Sequence, residues 1–156
     1  MSITLVAAIA QNNCIGENGK LPWNIKEDME HFKNITMGHI VLMGRKTWES
    51  IPKKFRPLPQ RKNIVITRQE NYIVSEDVEV YSTLEAALEK YKDQNIMVIG
   101  GAEIYKQIFS KADVLEITHV HQPVEGDAFF PEIDKNIWQE NKREDFEKFS
   151  FVTYTK

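Results

Sequence analysis

The carboxylate of Asp28 occupies a position where the pattern of its segment favours an apolar side chain. Ile25, Met29 and Phe32 recur at the spacing of one helix face, and Asp28 falls on the same face. Burying an unpaired charge is costly, so such an acid has a cationic or hydrogen-bonding partner or faces a pocket whose ligand supplies one. We interpret Asp28 as a ligand-binding carboxylate; the alternative is a solvated acid that borders the apolar face.

Two turns that contain glycine give a second chemical signal. The apolar run 96–99 leads through Gly100 and Gly101 into a predicted helix, and the run 41–43 leads through Gly44 into another. A helix N-terminus offers unpaired N–H groups and the positive end of the helix dipole to a ligand. The pattern is not the dinucleotide fingerprint of three spaced glycines, and paired glycines can also serve only as a tight connection. Together, the two turns predict a site for the two ends of a pyrophosphate-linked dinucleotide.

The chain is acidic but carries one basic segment. Its formal net charge is −3, yet residues 45–68 contain eight Lys or Arg side chains and a single acid. A nucleic-acid surface would need interleaved aromatic residues, and this segment has only Trp48 and Phe55, while the acidic remainder would repel a polyanion. A solvated run of charge is the other alternative. A small anionic ligand fits the segment best, with Arg45 and Arg68 reaching an additional phosphate.

The rest of the chain alternates predicted strands and helices, which indicates an α/β fold with a mainly parallel sheet. Asn24 is the predicted N-cap of the Asp28 helix, Thr83 is that of a later helix, and residues 11–20 are predicted to form a mobile loop. Further helices are predicted at 45–51, 83–91 and 102–109, and strands at 3–10, 39–43, 63–67, 78–81, 96–99, 114–121 and 149–154, the last two being longer and antiparallel.

Composition excludes several classes of protein. No apolar run is long enough to span a bilayer, the N-terminus lacks the basic region of a signal peptide, and the single cysteine, Cys14, allows no internal disulfide, so we expect a cytoplasmic protein. His119 and His121 share a strand face, but no acid or cysteine spacing completes a metal site, and we predict none. His31 and His39 carry no signal of their own. Trp138 and the aromatic C-terminal segment are interpreted as core strand residues.

Beyond these separate signals, a series of motifs runs along nearly the whole chain. They are Ile15-Gly16, Leu21-Pro22-Trp23-Asn24, Asp28, Phe32, the run from Met43 to Ile51, Arg56 to Pro59, Arg61 to Asn63, Ile99 to Tyr105, Thr118-His119 and Glu125 to Asp127. In these residues and their order the chain resembles bacterial dihydrofolate reductase. The resemblance implies one domain over residues 1–156, with a central, mostly parallel twisted sheet, an antiparallel C-terminal strand and flanking helices. It also implies the NADPH-dependent reduction of 7,8-dihydrofolate to tetrahydrofolate.

On the substrate side, the resemblance implies that Asp28 accepts hydrogen bonds from the pterin, supported by Thr118. Arg61 would bind the α-carboxylate of the glutamate tail in a bidentate fork. Trp23 would help to order active-site water, and residues 16–21 would close over the nicotinamide, which makes Asp28, Trp23 and Leu21 the implied catalytic set. The implied apolar walls are Val6, Ala8, Met29, Phe32, Ile51, Leu58 and Ile99.

On the cofactor side, the resemblance implies that NADPH lies along residues from both glycine turns. The segment 52–55 has a length that varies in the family, which leaves Lys53 and Lys54 unassigned, and the family varies at Arg68 as well. The implied cofactor-binding residues are Ala8, Ile15, Gly44, Arg45, Lys46, Thr47, Thr67, Arg68, Gly100, Gly101, Ala102, Glu103, Ile104 and Tyr105.

The expected partners are dihydrofolate and antifolate inhibitors, with no nucleic acid or membrane, and we expect a monomer. Two alternatives stay open. A related NADPH-dependent reductase of another pyrimidine-like substrate would keep the paired glycines without needing both Asp28 and Arg61. A non-catalytic nucleic-acid binder would use residues 45–68, would lose affinity steeply with salt and would need no NADPH.

Overall fold

The structure, a computed structural model, describes residues 2–16 and 25–156. Its helices are α1 (Lys26–Thr36), α2 (Arg45–Ser50), α3 (Leu84–Lys90) and α4 (Ala102–Ile108), with 3₁₀ turns at Lys53–Phe55 and Phe109–Lys111. Its strands are β1 (Ser2–Ile9), β2 (Cys14–Gly16), β3 (Ile40–Gly44), β4 (Lys62–Ile66), β5 (Glu79–Tyr81), β6 (Asn95–Gly100), β7 (Val114–Val120), β8 (Ala128–Phe129), β9 (Gln139–Asp145) and β10 (Phe149–Thr155).

Eight of the strands form one sheet in the order β5-β4-β3-β6-β1-β7-β10-β9. The pairs from β5 to β7 are parallel, whereas β10 runs antiparallel to both β7 and β9. The predicted α/β class with a mainly parallel sheet and an antiparallel C-terminal strand is therefore confirmed. No helix of the described residues is long and apolar enough to cross a membrane.

The central strands are apolar on both faces because helices or loops cover the sheet on each side. Leu5, Val41, Leu42, Ile64 and Val98 are fully buried. Their continuous apolar runs explain why the sequence pattern located these strands to within a residue or two.

The antiparallel pairing predicted for the segment 114–121 is confirmed on one side only, because β7 pairs antiparallel with β10 and in parallel with β1. Trp138 is buried in the core as expected, yet it lies just before β9 rather than within a strand. The pattern of one strand reveals its burial but not the direction of its neighbours.

Two further elements were missed. Strand β9 has the sequence QENKRED, in which every residue is exposed, so it shows no alternation of apolar and polar side chains. Within the predicted mobile loop 11–20, Cys14–Gly16 forms β2, which pairs with β8. Strand β2 depends on a partner far along the chain, whereas β9 pairs with β10, the strand that directly follows it.

Helix α1 also differs from its prediction. It begins at Lys26 with Ile25 at the N-cap position, and Asn24 lies outside the described residues. Met29 is 61% exposed, so its assignment to the buried face was wrong. The packed face instead runs through residues four apart, since Phe32 is half-buried and Thr36 is fully buried. Asp28 lies on this same face, as expected.

Candidate functional site

The candidate site lies at the carboxyl ends of the parallel strands. The chain starts in the middle of the sheet with β1, adds β3, β4 and β5 on one side, and places β6 and β7 on either side of β1. Such a change in winding direction leaves a crevice at the carboxyl edge, which is where open α/β sheets bind ligands. The carboxyl half of β7 carries Thr118, which is in register with Ala8 of β1.

Asp28 is held at this crevice by a neutral partner. The Thr118 hydroxyl donates a hydrogen bond of 2.6 Å to Asp28 Oδ1, and Thr118 itself is buried. Burial raises the pKa of Asp28, while the Thr118 hydrogen bond and the charge of His31 act in the opposite direction. The half-buried carboxylate can therefore offer its remaining acceptor capacity to a ligand that brings donors.

The apolar side chains assigned to the substrate are buried or half-buried, with the exception of Met29. Val6 is buried, and Ala8 and Phe32 are half-buried. Ile51, Leu58 and Ile99 are also half-buried, and all three pack against one cluster formed by Val41, Met43, Trp48, Val65 and Val78. The exposed Met29 lies next to Asp28 on α1. Leu21, Trp23 and most of the predicted closing loop 16–21 lie outside the described residues.

Arg61 lies near the other end of α1. Its Nε donates to the Pro59 carbonyl at 2.9 Å and its Nη1 donates to Thr36 Oγ1 at 3.0 Å. Burial lowers the pKa of Arg61. Asn63, itself buried, shapes the loop before it, because its side chain bonds to both backbone groups of Leu58 and to the Arg61 carbonyl. One end of α1 thus carries an acid and the other end is held by a cation.

The glycines of the two turns bring neighbouring strand ends close together. A Cβ added to Gly100 would lie 3.1 Å from Thr47 Oγ1, and one added to Gly101 would lie 3.3 Å from the same atom. A Cβ on Gly44 would lie 3.3 Å from Ile104 Cγ1. Gly100 also has a φ of +135°, a conformation that side chains rarely adopt. The ends of β3 and β6 therefore need glycine for close packing and for backbone access.

The cations of the first turn of α2 are partly compensated within the chain. Arg45 forms an ion pair of 2.8 Å with Glu49, whose carboxylate also accepts a hydrogen bond from Tyr72. Lys46 and Arg68 are exposed. Thr67 is buried and accepts a hydrogen bond from the Gln69 amide, so its hydroxyl already stabilises the turn after β4.

The remaining cofactor-assigned residues lie on β2 and α4. Tyr105 is buried, and its hydroxyl donates to the Val6 carbonyl, which ties α4 to β1. Ile104 is buried, Ile15 and Ala102 are half-buried, and Glu103 is exposed. The structure therefore brings residues of both glycine turns to one edge of the sheet.

The other candidate groups do not build a second reaction centre. Across residues 2–16 and 25–156, no cluster of His, Cys, Asp and Glu has the arrangement of a metal site. His119 is hydrogen-bonded to the Tyr154 hydroxyl and His121 to Ser150. Sequence reasoning overlooked His31, which stacks on Phe151 one turn after Asp28. The i, i+3 spacing from Asp28 was the available signal.

Comparisons with known proteins agree with this geometry. The family model described as dihydrofolate reductase matches residues 2–156. The chain is 49% identical to the dihydrofolate reductase of Neisseria gonorrhoeae over 144 residues, which are 92% of this chain and 87% of that protein. It is 41% identical to the dihydrofolate reductase of Bacillus subtilis over 138 residues, which are 88% of this chain and 80% of that protein.

A solved structure shares the fold. Dihydrofolate reductase from Enterococcus faecalis, complexed with NADP(H) and the compound RAB-propyl, superposes with a TM-score of 0.87 at 31% identity, covering 99% of this chain and 95% of that one. A family match over almost the whole sequence and this degree of structural agreement point to the same conclusion. The chain belongs to the dihydrofolate reductase family.

Proposed function

We propose that this protein reduces 7,8-dihydrofolate to 5,6,7,8-tetrahydrofolate with NADPH. The observation that carries the proposal is the half-buried Asp28 carboxylate held by Thr118 at the sheet edge that also carries Gly44, Gly100 and Gly101. One acid among apolar walls suits a polar heterocycle with donor groups on one side, and glycine-lined strand ends suit a dinucleotide.

NADPH, when bound, supplies the hydride, which is added to pterin C6 while N5 takes up a proton. The chain's own residues fit this cofactor, because a side chain at any of the three glycines would crowd Thr47 or Ile104 and would cover the backbone. Arg45 and Arg68 offer positive charge for the ribose 2′-phosphate. The residues that we assign to the cofactor are Ala8, Ile15, Gly44, Arg45, Lys46, Thr47, Thr67, Arg68, Gly100, Gly101, Ala102, Glu103, Ile104 and Tyr105.

Asp28 would anchor the pterin by accepting hydrogen bonds from its amino group and ring N–H. Thr118 occupies one lone pair of the carboxylate and so limits the ways in which the acid can turn. Val6, Ala8, Met29, Phe32, Ile51, Leu58 and Ile99 would supply the apolar surface that positions the rings and excludes water.

The proton for N5 would arrive through water, since Asp28 binds the pyrimidine edge of the pterin and lies away from N5. The raised pKa of Asp28 favours its protonated form during the cycle. Trp23 and Leu21 are assigned to ordering this water and to closing the site; both stay predictions from the sequence.

Arg61 would bind the α-carboxylate of the glutamate tail. Its Nε and Nη1 already bond to Pro59 and Thr36, which fixes the plane of the guanidinium group before a ligand arrives. We further propose that the chain acts as a single domain and a monomer in the cytoplasm, without a nucleic-acid partner, and that antifolates compete with dihydrofolate for Asp28.

The decisive experiment mixes the protein, NADPH and dihydrofolate and follows the loss of the reduced nicotinamide signal. We expect rapid, stoichiometric oxidation that stops when either reactant is omitted, with tetrahydrofolate as the product. Oxidation of NADPH by another pyrimidine-like compound but not by dihydrofolate would identify a related reductase instead. Salt-sensitive binding of nucleic acid without NADPH oxidation would overturn the proposed reaction.

A further inference from the structure

The only histidine of α1, His31, is stacked on β10, the strand that pairs with β7, and Thr118 of β7 supports Asp28. Its ring lies almost parallel to that of Phe151 in β10, with the two centroids 3.9 Å apart and the planes inclined by 8°. His31 follows Asp28 by three residues, which places the two side chains next to each other on the helix surface.

The contacts of these residues join α1 to two neighbouring strands of the sheet, β7 and β10. Phe151 of β10 is in register with Thr118 of β7. Thr118 donates to Asp28, and Phe151 carries the ring of His31. One cross-strand pair therefore holds one turn of α1 at two points, through a hydrogen bond at Asp28 and through a stack at His31.

We propose that His31 is a positioning residue for Asp28, with its stack on Phe151 fixing the turn of α1 that presents the carboxylate to Thr118 and to the substrate. The inference rests on the proposed function and assigns a residue that the resemblance does not. A stacked aromatic pair contributes more than its buried area because the ring geometry is specific. The stack thus restricts the rotation of α1, which a flexible aliphatic contact would not.

Nearby charged groups give His31 an electrostatic role as well. Phe151 is also in register with Glu144 of β9, and Glu144 pairs with Lys142 at 3.7 Å. Burial lowers the pKa of His31; Asp28 and Glu144 raise it, and Lys142 lowers it. A proton on His31 stabilises the ionised form of Asp28, so removal of the imidazole should raise the pKa of Asp28.

Two substitutions separate the ring from its charge. His31→Ala removes both, whereas His31→Phe keeps a ring that can stack on Phe151. We expect His31→Ala to raise KM for dihydrofolate about three- to tenfold with a smaller change in kcat, and His31→Phe to restore KM to within about twofold of the wild type. An NMR titration of the Asp28 carboxyl carbon should show a raised pKa in both variants.

Phe146→Ala is the matched control. It removes another ring packed on Phe151, at a centroid distance of 5.5 Å, from the turn between β9 and β10. We expect this variant to leave KM unchanged. Three outcomes would each overturn the proposal. They are a rise in KM for Phe146→Ala equal to that for His31→Ala, a wild-type KM for His31→Ala, and a KM for His31→Phe that stays raised. If the wild type does not reduce dihydrofolate, the proposed function fails, while an unchanged Asp28 titration in both variants would by itself overturn the role of His31.

Discussion

At the scale of single residues, Asp28 combines a proposed role in substrate binding with a cost to the stability of the fold. Burial raises the pKa of Asp28, and the opposing effects of Thr118 and His31 leave it above the ordinary value. The stability that its protonated form contributes is present below the unfolded-state pKa and is lost as the pH rises through the folded-state pKa. Near neutral pH, the ionised acid therefore costs the fold some stability.

We accordingly expect Asp28→Asn to lose about a hundredfold in kcat at neutral pH, the typical contribution of a positioned acid or base, while the fold is kept. The same variant should be at least as stable as the wild type at neutral pH, because an amide does not ionise. Steady-state kinetics and urea unfolding at pH 7 test both statements. Turnover by Asp28→Asn at the wild-type rate would mean that Asp28 has no role in the mechanism. A clearly lower free energy of unfolding for this variant would contradict the argument from the raised pKa.

Arg61 offers a second prediction at this scale. Arg61→Lys keeps the charge but loses the planar fork, so folate should bind more weakly by about 1 to 3 kcal/mol. A tail-less diaminopyrimidine should bind as tightly as before, since it does not reach the guanidinium group. Dissociation constants of both ligands for the wild type and the variant provide the measurement.

Thr36→Val is the control for Arg61, because it removes the hydroxyl that accepts from Nη1 while it keeps the arginine. Selective loss of folate binding in Arg61→Lys supports recognition of the tail. Equal losses for folate and for the diaminopyrimidine would mean that Arg61 holds the structure of the loop instead.

At the scale of elements, we propose that α2 decides how the protein distinguishes NADPH from NADH. Arg45 lies in the first turn of α2 and is paired with Glu49 one turn later. If Arg45 binds the 2′-phosphate, NADPH should bind more tightly than NADH, and Arg45→Ala should reduce that preference by about 1 to 3 kcal/mol. Titration with both cofactors measures the difference.

Glu49→Gln is the matched variant for this test. It removes the partner of Arg45 and leaves the guanidinium group in place, so the preference for NADPH should be kept or increased. Equal affinities of the wild type for NADPH and NADH would contradict the assignment of Arg45. If Glu49→Gln reduced the preference for NADPH as much as Arg45→Ala does, the ion pair, rather than the cation alone, would determine cofactor binding.

The edge strand β5 depends on a different carboxylate. Glu79 is paired with Lys62 of β4 at 2.8 Å and accepts hydrogen bonds from the hydroxyls of Tyr81 and Tyr91. Burial pushes the pKa of Glu79 upward, but these partners outweigh it and lower the pKa to about 2. The ionised side chain thus joins β5 to β4 and to the end of α3.

Glu79→Gln should therefore destabilise the protein at neutral pH. Solvent reaches 31% of the Glu79 side chain, which screens the pairing, and we expect a loss of about 1 kcal/mol. Because the pKa is depressed, this stability is present above the unfolded-state pKa and disappears as the pH falls through about 2. Urea unfolding at a series of pH values tests this prediction, and substitution of the exposed Glu76 by Gln is the control. A loss of stability in Glu79→Gln that does not depend on pH would contradict its electrostatic origin.

At the scale of the whole molecule, the proposed NADPH site joins the ends of β3 and β6 with α2 and α4. A ligand that binds only the folded state should therefore stabilise the entire sheet. At a hundredfold excess over its Kd, NADPH should add about 2.7 kcal/mol, or about 5 to 10 °C in Tm for a chain of this size. Thermal unfolding with NADPH, with NADH and without ligand measures the effect, and an unchanged Tm with NADPH would exclude binding at this edge.

The sequence alone determined the α/β class, the central strands and the place of Asp28 on the packed face of α1. Buried strands such as β3 and β6 are nearly uniform apolar runs, and Thr83 caps α3 as predicted by accepting from the Ala86 amide. An acid at helical spacing among apolar residues is likewise a local signal. A local pattern of apolar residues indicates burial, and its spacing distinguishes a helix from a strand, because the residues that make up the pattern lie in one element.

Only the tertiary structure decided which distant groups meet. Thr118 contacts Asp28 from 90 positions away, and β9 exists because β10 offers it backbone partners despite its wholly polar sequence. Met29 turned out exposed and His31 stacked, since the packing of α1 on the sheet fixed its rotation. Contacts of this kind depend on the arrangement of whole elements, which the spacing of residues within one segment does not encode.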